Sequence, residues 1–402
     1  MAGGSLPTPL DIALNARQAA SSAAPRARAT VGLAAGGTGG PLFPAEALAR
    51  ELQARGYGVV VYTEERGARF TQALDGLPHL VLPARSLAGG IGGKLAAAAV
   101  ITRAAATARA DMKRRGVKLV AGFGGYPSFA PVMAGRSLGL PLLLHEQGTR
   151  LSMANRQLLR FADRVATSFG DIGGVADGAR DKLVMTGNPV RVTILEAARA
   201  PYPGLASDAP LRLLVVGGSQ GAAVFGRVVP PALLALPGAL RSRLRVSLQY
   251  RGDDADAVSA QLRDAGIAVD LRPFFDDMAA QLRDAHLVVT RAGATTIADL
   301  LVVGRPAIVV PIPQGGSREE QRGNAEALER LGAGWCMSEG DDGFTAPALA
   351  VRLERLFADP AILPDAAAAA ARLGRPDAAA RLADEVEALL RARGAAASGG
   401  RS

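Results

Sequence analysis

Two glycine clusters, GGTGG (36–40) and GGSQG (217–221), have the composition of anion-binding turns. Each follows a short apolar, β-prone run and precedes a helical pattern. A turn of this kind brings backbone N–H groups and a helix N-terminus up to a phosphate. Neither cluster spells the dinucleotide fingerprint, and the chain has no P-loop motif. The pattern predicts an anion or sugar-nucleotide site. A tight turn without a ligand is the alternative, and the repetition of the cluster favours the ligand.

Polar side chains follow the later apolar runs, at positions that become strand carboxyl ends in a parallel sheet, where such folds bind ligands. Arg191 can pair with a diphosphate in bidentate fashion, and Asp299 can accept hydrogen bonds from ribose hydroxyls. Phe275 and Met278 can pack against a base. Each also has a plain structural interpretation, as a domain bridge, a helix-face carboxylate or a core residue. The segments concerned are HEQ (145–147), GNPVR (187–191), FFDDM (274–278), RAGATTIAD (291–299) and REEQRGNA (318–325).

Length and composition limit the classes of protein to which this chain can belong. Its 402 residues suffice for two domains with separate cores. The single cysteine, Cys336, excludes an intrachain disulfide and a cysteine metal site. A net charge of +9 suits nucleic acid, an anionic membrane surface or phosphorylated substrates. Aromatic residues make up only 4% of the chain, which argues against stacking on nucleic-acid bases, so we expect no nucleic-acid partner.

The elements that must position these groups alternate between short apolar strands and helices of about ten to twenty residues. This alternation indicates an α/β fold with parallel sheets whose faces are covered. The pattern runs through once, breaks at a segment rich in Pro, Ala and Ser, and then restarts. The predicted organisation is a disordered lead-in at 1–28, an α/β domain at 29–195, a linker at 196–210, a second α/β domain at 211–375, and a C-terminal helix that packs back toward the first domain before a disordered tail, at 376–402.

The order of the motifs along the chain resembles that of one enzyme family, over about residues 30–390. The order shared with the MurG family of peptidoglycan N-acetylglucosaminyltransferases is GGTGG, GGYPS, HEQ, GNPVR, GGSQG, FFDDM, RAGATTIAD and QRGNA. The resemblance implies a GT-B fold, in which two Rossmann-like domains with parallel sheets face each other across a cleft. The first domain would face the acceptor and the membrane, and the second would bind a UDP-sugar.

The activity that the resemblance implies is an inverting transfer of N-acetylglucosamine. The donor would be UDP-N-acetylglucosamine, and the acceptor undecaprenyl-diphosphate-N-acetylmuramyl-pentapeptide (lipid I), which becomes lipid II in peptidoglycan synthesis. One alternative is a catalytically weakened relative that binds a sugar nucleotide or a lipid diphosphate without turnover. Another is a different GT-B transferase or epimerase that uses a UDP-sugar.

The resemblance also assigns donor contacts residue by residue. Phe275 would meet the uracil through its backbone, and Gln321 would contact the sugar. Arg191 and Ser219 would also contact the donor. The full set implied for UDP-N-acetylglucosamine binding is Thr38, Gly39, Gly40, Gly148, Arg191, Ser219, Gln220, Phe275, Met278, Ala294, Thr295, Thr296, Asp299 and Gln321.

Four positions depart from the family pattern. The family usually has GGTGGH, and its histidine is a favoured candidate for the general base, but Pro41 stands there in this chain. Gly148 replaces the asparagine of HEQN, which removes a donor-side amide. Asp299 replaces a longer glutamate, and Glu320 replaces the first residue of a glutamine pair. The motifs expected to bind the nucleotide therefore match the family pattern better than those expected near the acceptor and the general base.

Three accounts of catalysis remain open without a histidine at position 41. His145 and Glu146, at a strand end, are the nearest candidates for the base by residue type. Alternatively, positioning and leaving-group stabilisation carry most of the rate, because a general base contributes only ~10²–10⁴-fold. In the third account the chain is a non-catalytic relative. We favour an active enzyme because the rest of the motif frame is intact.

The location and partners follow partly from composition and partly from the resemblance. No apolar run reaches the length of a membrane span, and the lead-in lacks the apolar region of a signal peptide. The resemblance implies a peripheral protein on the cytoplasmic face of the bacterial inner membrane, bound to anionic lipid, with other cell-wall synthesis or division proteins as partners. An ordinary core-facing helix is the alternative for the membrane patch. That patch comprises Leu87, Ile91, Lys94, Leu95 and Arg103.

No cofactor is required by this interpretation. A divalent cation such as Mg²⁺ is compatible with the reaction, but no D-x-D motif at a strand end indicates one. The three histidines lie far apart in the sequence and suggest no metal site.

Overall fold

A computed structural model describes residues 28–37, 39–85, 91–206, 209–218, 221–315, 318–340 and 343–399, with side chains described except at 91–95 and 396–399. The chain divides into two compact units. Unit 1 comprises Met1–Arg191 together with Arg375–Ser402, and unit 2 comprises Val192–Gly374. The C-terminal segment therefore belongs with the first unit. The predicted lead-in lies outside the described residues except for Arg28, and so do residues 400–402.

Unit 1 alternates strands and helices as the sequence pattern predicts. Its strands are β1 (Thr30–Ala34), β2 (Gly58–Thr63), β3 (His79–Val81), β4 (Val117–Gly122), β5 (Leu142–Glu146), β6 (Arg164–Thr167) and β7 (Leu183–Met185). Its helices are α1 (Gly39–Ala54), α2 (Glu65–Ala68), α3 (Thr71–Leu74), α4 (Ile91–Arg115), α5 (Tyr126–Ser137) and α6 (Met153–Leu158), with 3₁₀ turns at Leu159–Phe161 and Asp177–Lys182.

The seven strands of unit 1 form one parallel sheet in the order β3-β2-β1-β4-β5-β6-β7. Successive strand residues bury their side chains on opposite faces, as Val61 and Tyr62 do in β2. One face packs against α1, and the other packs against α4, α5 and α6. Both faces are therefore covered, which explains why the strands read as continuous apolar runs.

The helical pattern after the first glycine cluster predicts a helix over 44–55, but α1 begins five residues earlier, at Gly39. Pro41 is the third helical residue, where a backbone N–H has no partner within the helix, so its loss has no structural cost. Pro44 lies one turn further in, and the helix continues through it to Ala54. The glycine cluster therefore forms the helix start itself.

Unit 2 repeats the alternation. Its strands are β8 (Leu211–Val216), β9 (Leu244–Gln249), β10 (Ala268–Arg272), β11 (Leu287–Thr290), β12 (Ala307–Val309) and β13 (Gly334–Cys336). Its helices are α7 (Val192–Ala197), α8 (Ala223–Leu234), α9 (Gly238–Arg241), α10 (Ala255–Asp264), α11 (Met278–Asp284), α12 (Ala294–Val303), α13 (Arg318–Arg330), α14 (Ala346–Ala358) and α15 (Ile362–Leu373).

The sheet of unit 2 is also parallel throughout, in the order β10-β9-β8-β11-β12-β13. This is the 3-2-1-4-5-6 order of a Rossmann fold, and the first six strands of unit 1 have the same order. The sequence pattern predicts a strand with its glycine loop at 211–221 and further strands at 245–252, 269–278, 285–293 and 305–313. Each of these segments overlaps one of the strands β8 to β12, although most run on into the loop that follows. Each unit is thus Rossmann-like, as a GT-B fold requires.

The segment predicted as a linker, 196–210, is tied to unit 2. The Tyr202 hydroxyl donates to the carbonyl of His286 at 2.8 Å. The Arg305 guanidinium, almost fully buried, donates to the carbonyl of Pro201 at 3.4 Å and to carbonyls at the ends of α11 and α12. The proline-rich composition indicated the break between the units, but it could not indicate that hydrogen bonds hold this segment to unit 2.

The last helix of the chain, α16 (Ala378–Gly399), packs on the α1 side of the sheet of unit 1. Its Leu382 and Val386 are fully buried in that core. Arg55, at the end of α1, donates to the Asp384 carboxylate at 2.6 Å and to the Ala380 carbonyl at 3.0 Å. The chain thus returns to its first unit to complete the cover of one sheet face.

Candidate active site

Each sheet reverses its strand order at one point, and the chain places its glycine clusters there. In unit 1 the reversal lies between β1 and β4, which lead into GGTGG and GGYPS. In unit 2 it lies between β8 and β11, which lead into GGSQG and RAG. Ligands of open α/β sheets bind outside the carboxyl ends of the strands at such a switch point. Motifs far apart in the sequence therefore become neighbours within each unit.

The glycine loop of unit 1 is held by a carboxylate that the sequence analysis did not single out. Glu64, directly after β2, accepts a hydrogen bond from the backbone N–H of Gly37 at 2.9 Å. Gly37 has φ of 91°, and its N–H is used by this bond to Glu64. Thr38 lies outside the described residues. Gly39 and Gly40, also predicted to meet an anion, are the first two residues of α1.

Arg191 lies beside this loop, as predicted, and an aromatic ring connects the two. The guanidinium carbon of Arg191 is 4.3 Å from the ring centroid of Phe43 in α1. The same ring packs on Gly39, where a Cβ would lie 2.7 Å from it, so a larger residue at Gly39 would force the ring to shift. Burial raises the pKa of nearby Glu46, and the charges of Arg50 and Arg191 oppose that rise. No motif in the sequence indicates that Phe43 and Glu46 lie beside Arg191.

The prediction that His145 acts as a general base is not supported by its surroundings. The side chain is only 1% exposed. Its Nε2 lies 3.1 Å from the Gly187 carbonyl, which can only accept, so Nε2 carries the proton. Its Nδ1 accepts from Gln147 Nε2 at 3.0 Å. Both ring nitrogens are therefore engaged, and burial lowers the pKa of His145 to about 4 from its ordinary 6.5.

Glu146 is likewise enclosed and holds the loop that follows β5. Its oxygens accept from the backbone N–H of Gly148 at 3.3 Å and of Ser152 at 2.7 Å, and from the Asn155 amide at 2.9 Å. Burial raises the pKa of this carboxyl, and these donors oppose the rise. The side chain is 2% exposed, which disfavours a base role. Gly148, predicted to contact the donor, is buried and gives its N–H to Glu146.

The glycine loop of unit 2 is also positioned by a buried side chain. Gln249, at the end of β9, accepts from the Gly217 N–H at 2.9 Å and donates to the Pro273 carbonyl at 3.2 Å. It thereby connects the loop after β8 to the segment that precedes FFDDM. A Cβ at Gly217 would lie 2.2 Å from the Ala222 nitrogen, so the loop folds back on itself. The predicted donor contacts Ser219 and Gln220 lie outside the described residues.

Helix α12 carries several of the residues predicted to bind the donor in unit 2. It begins at Ala294, and its N-cap residue, Gly293, makes no side-chain cap hydrogen bond. The first-turn N–H groups of a helix have no intrahelical partner and carry partial positive charge, which suits a phosphate. Thr295 and Thr296 lie half-buried on this turn, and Asp299 lies one turn further, 8% exposed. The structure brings together these predicted residues on one helix.

The two phenylalanines of FFDDM differ sharply in exposure. The Phe275 ring is 2% exposed, under the Arg272 guanidinium at 5.4 Å, so it does not stack on a base as the residue type alone suggested. A contact through its backbone, as the family resemblance implies, remains a prediction. Phe274 is 51% exposed and is the ring at the surface. Met278 lies half-buried at the start of α11. An FF pair does not reveal in the sequence which ring is buried.

Helix α13 supports the loops around α12. Gln321 Oε1 accepts from the Ile312 N–H at 3.2 Å, which fixes the carboxamide that was predicted to contact the sugar. Asn324 donates to the Ala292 carbonyl at 3.1 Å, in the loop that leads into α12. These contacts place Gln321 beside the loop after β12.

Over the described part of the chain, no three His, Cys, Asp or Glu side chains lie close enough together to hold a metal ion. None of the helices described is both long and apolar enough to cross a bilayer. Of the predicted membrane patch, Arg103 is exposed on α4, Leu87 lies outside the described residues, and the side chains of Ile91, Lys94 and Leu95 are not described.

Two domain families match the two units. The glycosyltransferase family 28 N-terminal domain matches residues 31–167, and the family 28 C-terminal domain matches residues 212–382. Together they cover most of the chain, and both glycine loops fall within them. The chain therefore belongs to glycosyltransferase family 28, with the two Rossmann-like domains of the GT-B fold.

Individual relatives are more informative than the domain families, because their names state an activity. UDP-N-acetylglucosamine--N-acetylmuramyl-(pentapeptide) pyrophosphoryl-undecaprenol N-acetylglucosamine transferase of Rhodospirillum centenum is 45% identical, over 89% of this chain and 94% of its own. The transferase of the same name from Methylobacterium radiotolerans is 44% identical, over 89% and 96%. The crystal structure of Acinetobacter baumannii MurG is 29% identical, with a TM-score of 0.71, over 89% of this chain and 99% of that one.

The enclosed ring of His145 predicts a pH dependence of stability. Above pH 6.5 the ring is neutral in both folded and unfolded chains, so its contribution to stability is fully present. As the pH falls from 6.5 toward 4, the unfolded chain binds a proton that the folded chain refuses, and stability is lost. The total loss is about 3 kcal/mol. We expect His145→Gln, measured by urea unfolding between pH 7 and 4.5, to show a shallower decline than the native protein.

His79→Gln is the matched control, because His79 is exposed at the sheet edge. The variant and the native protein share the buried Glu146 and His286, so taking the difference between their pH profiles removes those contributions. A His145→Gln profile parallel to that of His79→Gln would show that His145 is not held neutral.

Proposed function

We propose that this protein transfers N-acetylglucosamine from UDP-N-acetylglucosamine to lipid I, with inversion at the anomeric carbon, to form lipid II. The observation that carries the proposal is that helix α12 starts at the switch point of unit 2. A helix start in that position suits a nucleotide diphosphate. The names of the relatives at 44–45% identity give the substrates. Peptidoglycan synthesis, and through it cell shape and division, would be the process served.

The donor is assigned to unit 2. The diphosphate would receive hydrogen bonds from the N–H groups of Ala294 to Thr296, and Asp299 would accept from the ribose. The backbone at Phe275 would meet the uracil, with the exposed Phe274 ring at the edge of the same segment. Gln321 would contact the sugar.

Catalysis is assigned mainly to stabilisation of the leaving UDP. Charge develops on the departing diphosphate, and preorganised N–H donors at a helix start stabilise such charge, each worth about 10²–10³ in rate. Pro41 has no group that takes a proton, and His145 and Glu146 are enclosed. We propose that the acceptor hydroxyl loses its proton to water, without a protein base. The enzyme would then be slower than a relative with a base, by ~10²–10⁴-fold at most.

A second candidate function is binding without turnover. Pro41 favours it, because the residue expected to act as base is absent while helix α12, which is predicted to bind the nucleotide, is present. In this case the protein would hold the sugar nucleotide or the lipid diphosphate within a cell-wall assembly. It would bind UDP-N-acetylglucosamine and release no UDP.

A peripheral position on the cytoplasmic face of the inner membrane is proposed from charge. Residues 91–170 contain 12 Lys and Arg against three Asp and Glu, so this stretch alone accounts for the chain's net charge of +9. It contains α4, α5 and α6, which cover one face of the sheet of unit 1. Two of the three acidic residues, Asp111 and Glu146, are buried. A face of one sign suits anionic lipid, and lipid I would be drawn from the same surface.

The first test is transfer of radiolabelled N-acetylglucosamine from its UDP donor to a short-chain lipid I analogue. We expect turnover that depends on both substrates, that falls at least tenfold with UDP-glucose as donor, and that persists in EDTA. The donor preference follows because a site built to bond the acetamido group leaves polar groups unpaired with glucose.

Calorimetric titration with UDP-N-acetylglucosamine distinguishes the two candidate functions. Binding together with turnover supports the transferase. Binding without turnover at any lipid I concentration would leave the binding function in its place. Neither binding nor turnover would contradict both.

The second test addresses the membrane. We expect the protein to co-sediment with vesicles that contain phosphatidylglycerol, and to bind phosphatidylcholine vesicles much less. Arg109→Glu with Lys113→Glu reverses two exposed charges on α4 and should weaken binding at least tenfold, because each basic residue near an anionic surface contributes about 1 kcal/mol.

Arg263→Glu with Arg355→Glu is the matched control for this pair. It reverses two exposed charges in unit 2 and so changes the net charge equally. If the two double variants lose binding to the same extent, net charge and not the face of α4 governs attachment.

A further inference from the structure

Glu64 holds together a turn that lies next to the glycine loop of unit 1. It is the residue between β2 and α2, and it is only 6% exposed. Its Oε1 accepts from the N–H of Gly67 at 3.0 Å, and its Oε2 accepts from the N–H of Arg66 at 3.1 Å. The carboxylate therefore satisfies two N–H groups of the turn that follows it, which is the usual function of an N-cap.

The same carboxylate also contacts the loop that follows β1. Its Oε1 also accepts from the N–H of Gly37, which lies 27 residues earlier and two residues before the start of α1. The two segments are in close contact, because a Cβ at Gly67 would lie 3.1 Å from the Cα of Gly36. On the other side, Pro127 of α5 lies 3.3 Å from where a Cβ of Gly36 would be. Packing limits the loop from two sides, and Glu64 sets its hydrogen bonding.

Arg66 extends this arrangement to a third strand end. Its guanidinium lies 3.9 Å from Glu64 Oε2 and hydrogen-bonds the hydroxyl of Tyr126, the first residue of α5. The segments linked in this way follow β1, β2 and β4, which are neighbours in the sheet. The loop that begins α1 is thus tied to both adjacent strand ends through one buried carboxylate and one arginine.

We propose that Glu64 is a positioning residue for sugar transfer. It fixes Gly37, and through it the start of α1 at Gly39 and Gly40, in the geometry that the reaction needs. This inference rests on the proposed transferase function. Without the carboxylate, the N–H groups of Gly37 and Gly67 lose their acceptor, and the loop relaxes to find another. Displacement of a positioning group by about 1 Å can cost about 10²-fold in rate.

The test compares Glu64→Ala and Glu64→Gln with Glu65→Ala. Glu65 is the exposed next residue, so it controls for removal of a carboxylate from the same turn. We expect kcat/KM for transfer to the lipid I analogue to fall about 10- to 100-fold in Glu64→Ala, mostly in kcat. Glu64→Gln keeps an oxygen that accepts from Gly37 and Gly67, and should recover most of that loss. Glu65→Ala should behave as the native protein does.

Hydrogen–deuterium exchange provides a readout that does not require activity. In native protein the Gly37 amide is hydrogen-bonded and should exchange slowly. A peptide that covers residues 34–42 should exchange faster in Glu64→Ala, and at nearly the native rate in Glu64→Gln and Glu65→Ala, with thermal unfolding confirming that each variant is folded.

The outcomes separate this inference from the proposed function. If native protein transfers sugar and Glu64→Ala matches Glu65→Ala in kcat/KM, the positioning role is wrong. If native protein transfers nothing, the transferase proposal fails, and exchange alone decides: faster exchange confined to Glu64→Ala supports the anchoring of the loop, and unchanged exchange overturns it. A Glu64→Gln variant as impaired as Glu64→Ala would also contradict the hydrogen-bonding argument.

Discussion

Backbone N–H groups at the carboxyl ends of parallel strands must find acceptors, and in this protein buried side chains provide them. Glu64 after β2, Glu146 at the end of β5 and Gln249 at the end of β9 each accept from an N–H of a loop. These loops lie where the sheets open to ligands. An unsatisfied buried N–H is costly, so each acceptor dictates the shape of its loop. Within each unit, the geometry of these loops follows from the buried side chains as much as from the glycines.

This requirement explains why polar residues at strand ends were misassigned from the sequence. A histidine and a glutamate side by side after an apolar strand have the composition of a catalytic pair. In the fold, His145 and Glu146 are turned inward, and their hydrogen-bonding groups are used by Gly187, Gln147 and the loop after β5. Residue type indicates chemical capacity, but burial decides whether it is available, and burial depends on tertiary packing that a single sequence does not reveal.

The fold was predictable where the alternation of apolar strands and helices extends over many residues. The α/β class and the two units followed from strands of four to six apolar residues that alternate with helices. Short edge strands of three or four residues, such as β3, β7 and β13, carry too little pattern to be recognised. The start of α1 was predicted five residues too late, because the glycine cluster was taken for a loop and forms the first helical residues. The contact of Phe43 with Gly39 and Arg191 joins residues about 150 positions apart and has no local pattern at all.

The central claim is that this chain is an active transferase although Pro41 replaces a histidine. The most direct measurement is kcat for sugar transfer across pH 5.5–9, for native protein and Pro41→His side by side. The account predicts turnover by the native protein at every pH, with Pro41→His faster by no more than ~10²–10⁴-fold and losing that gain as its new imidazole is protonated near pH 6.5. Native protein that is inactive at every pH, beside an active Pro41→His, would contradict it and show that the histidine is indispensable.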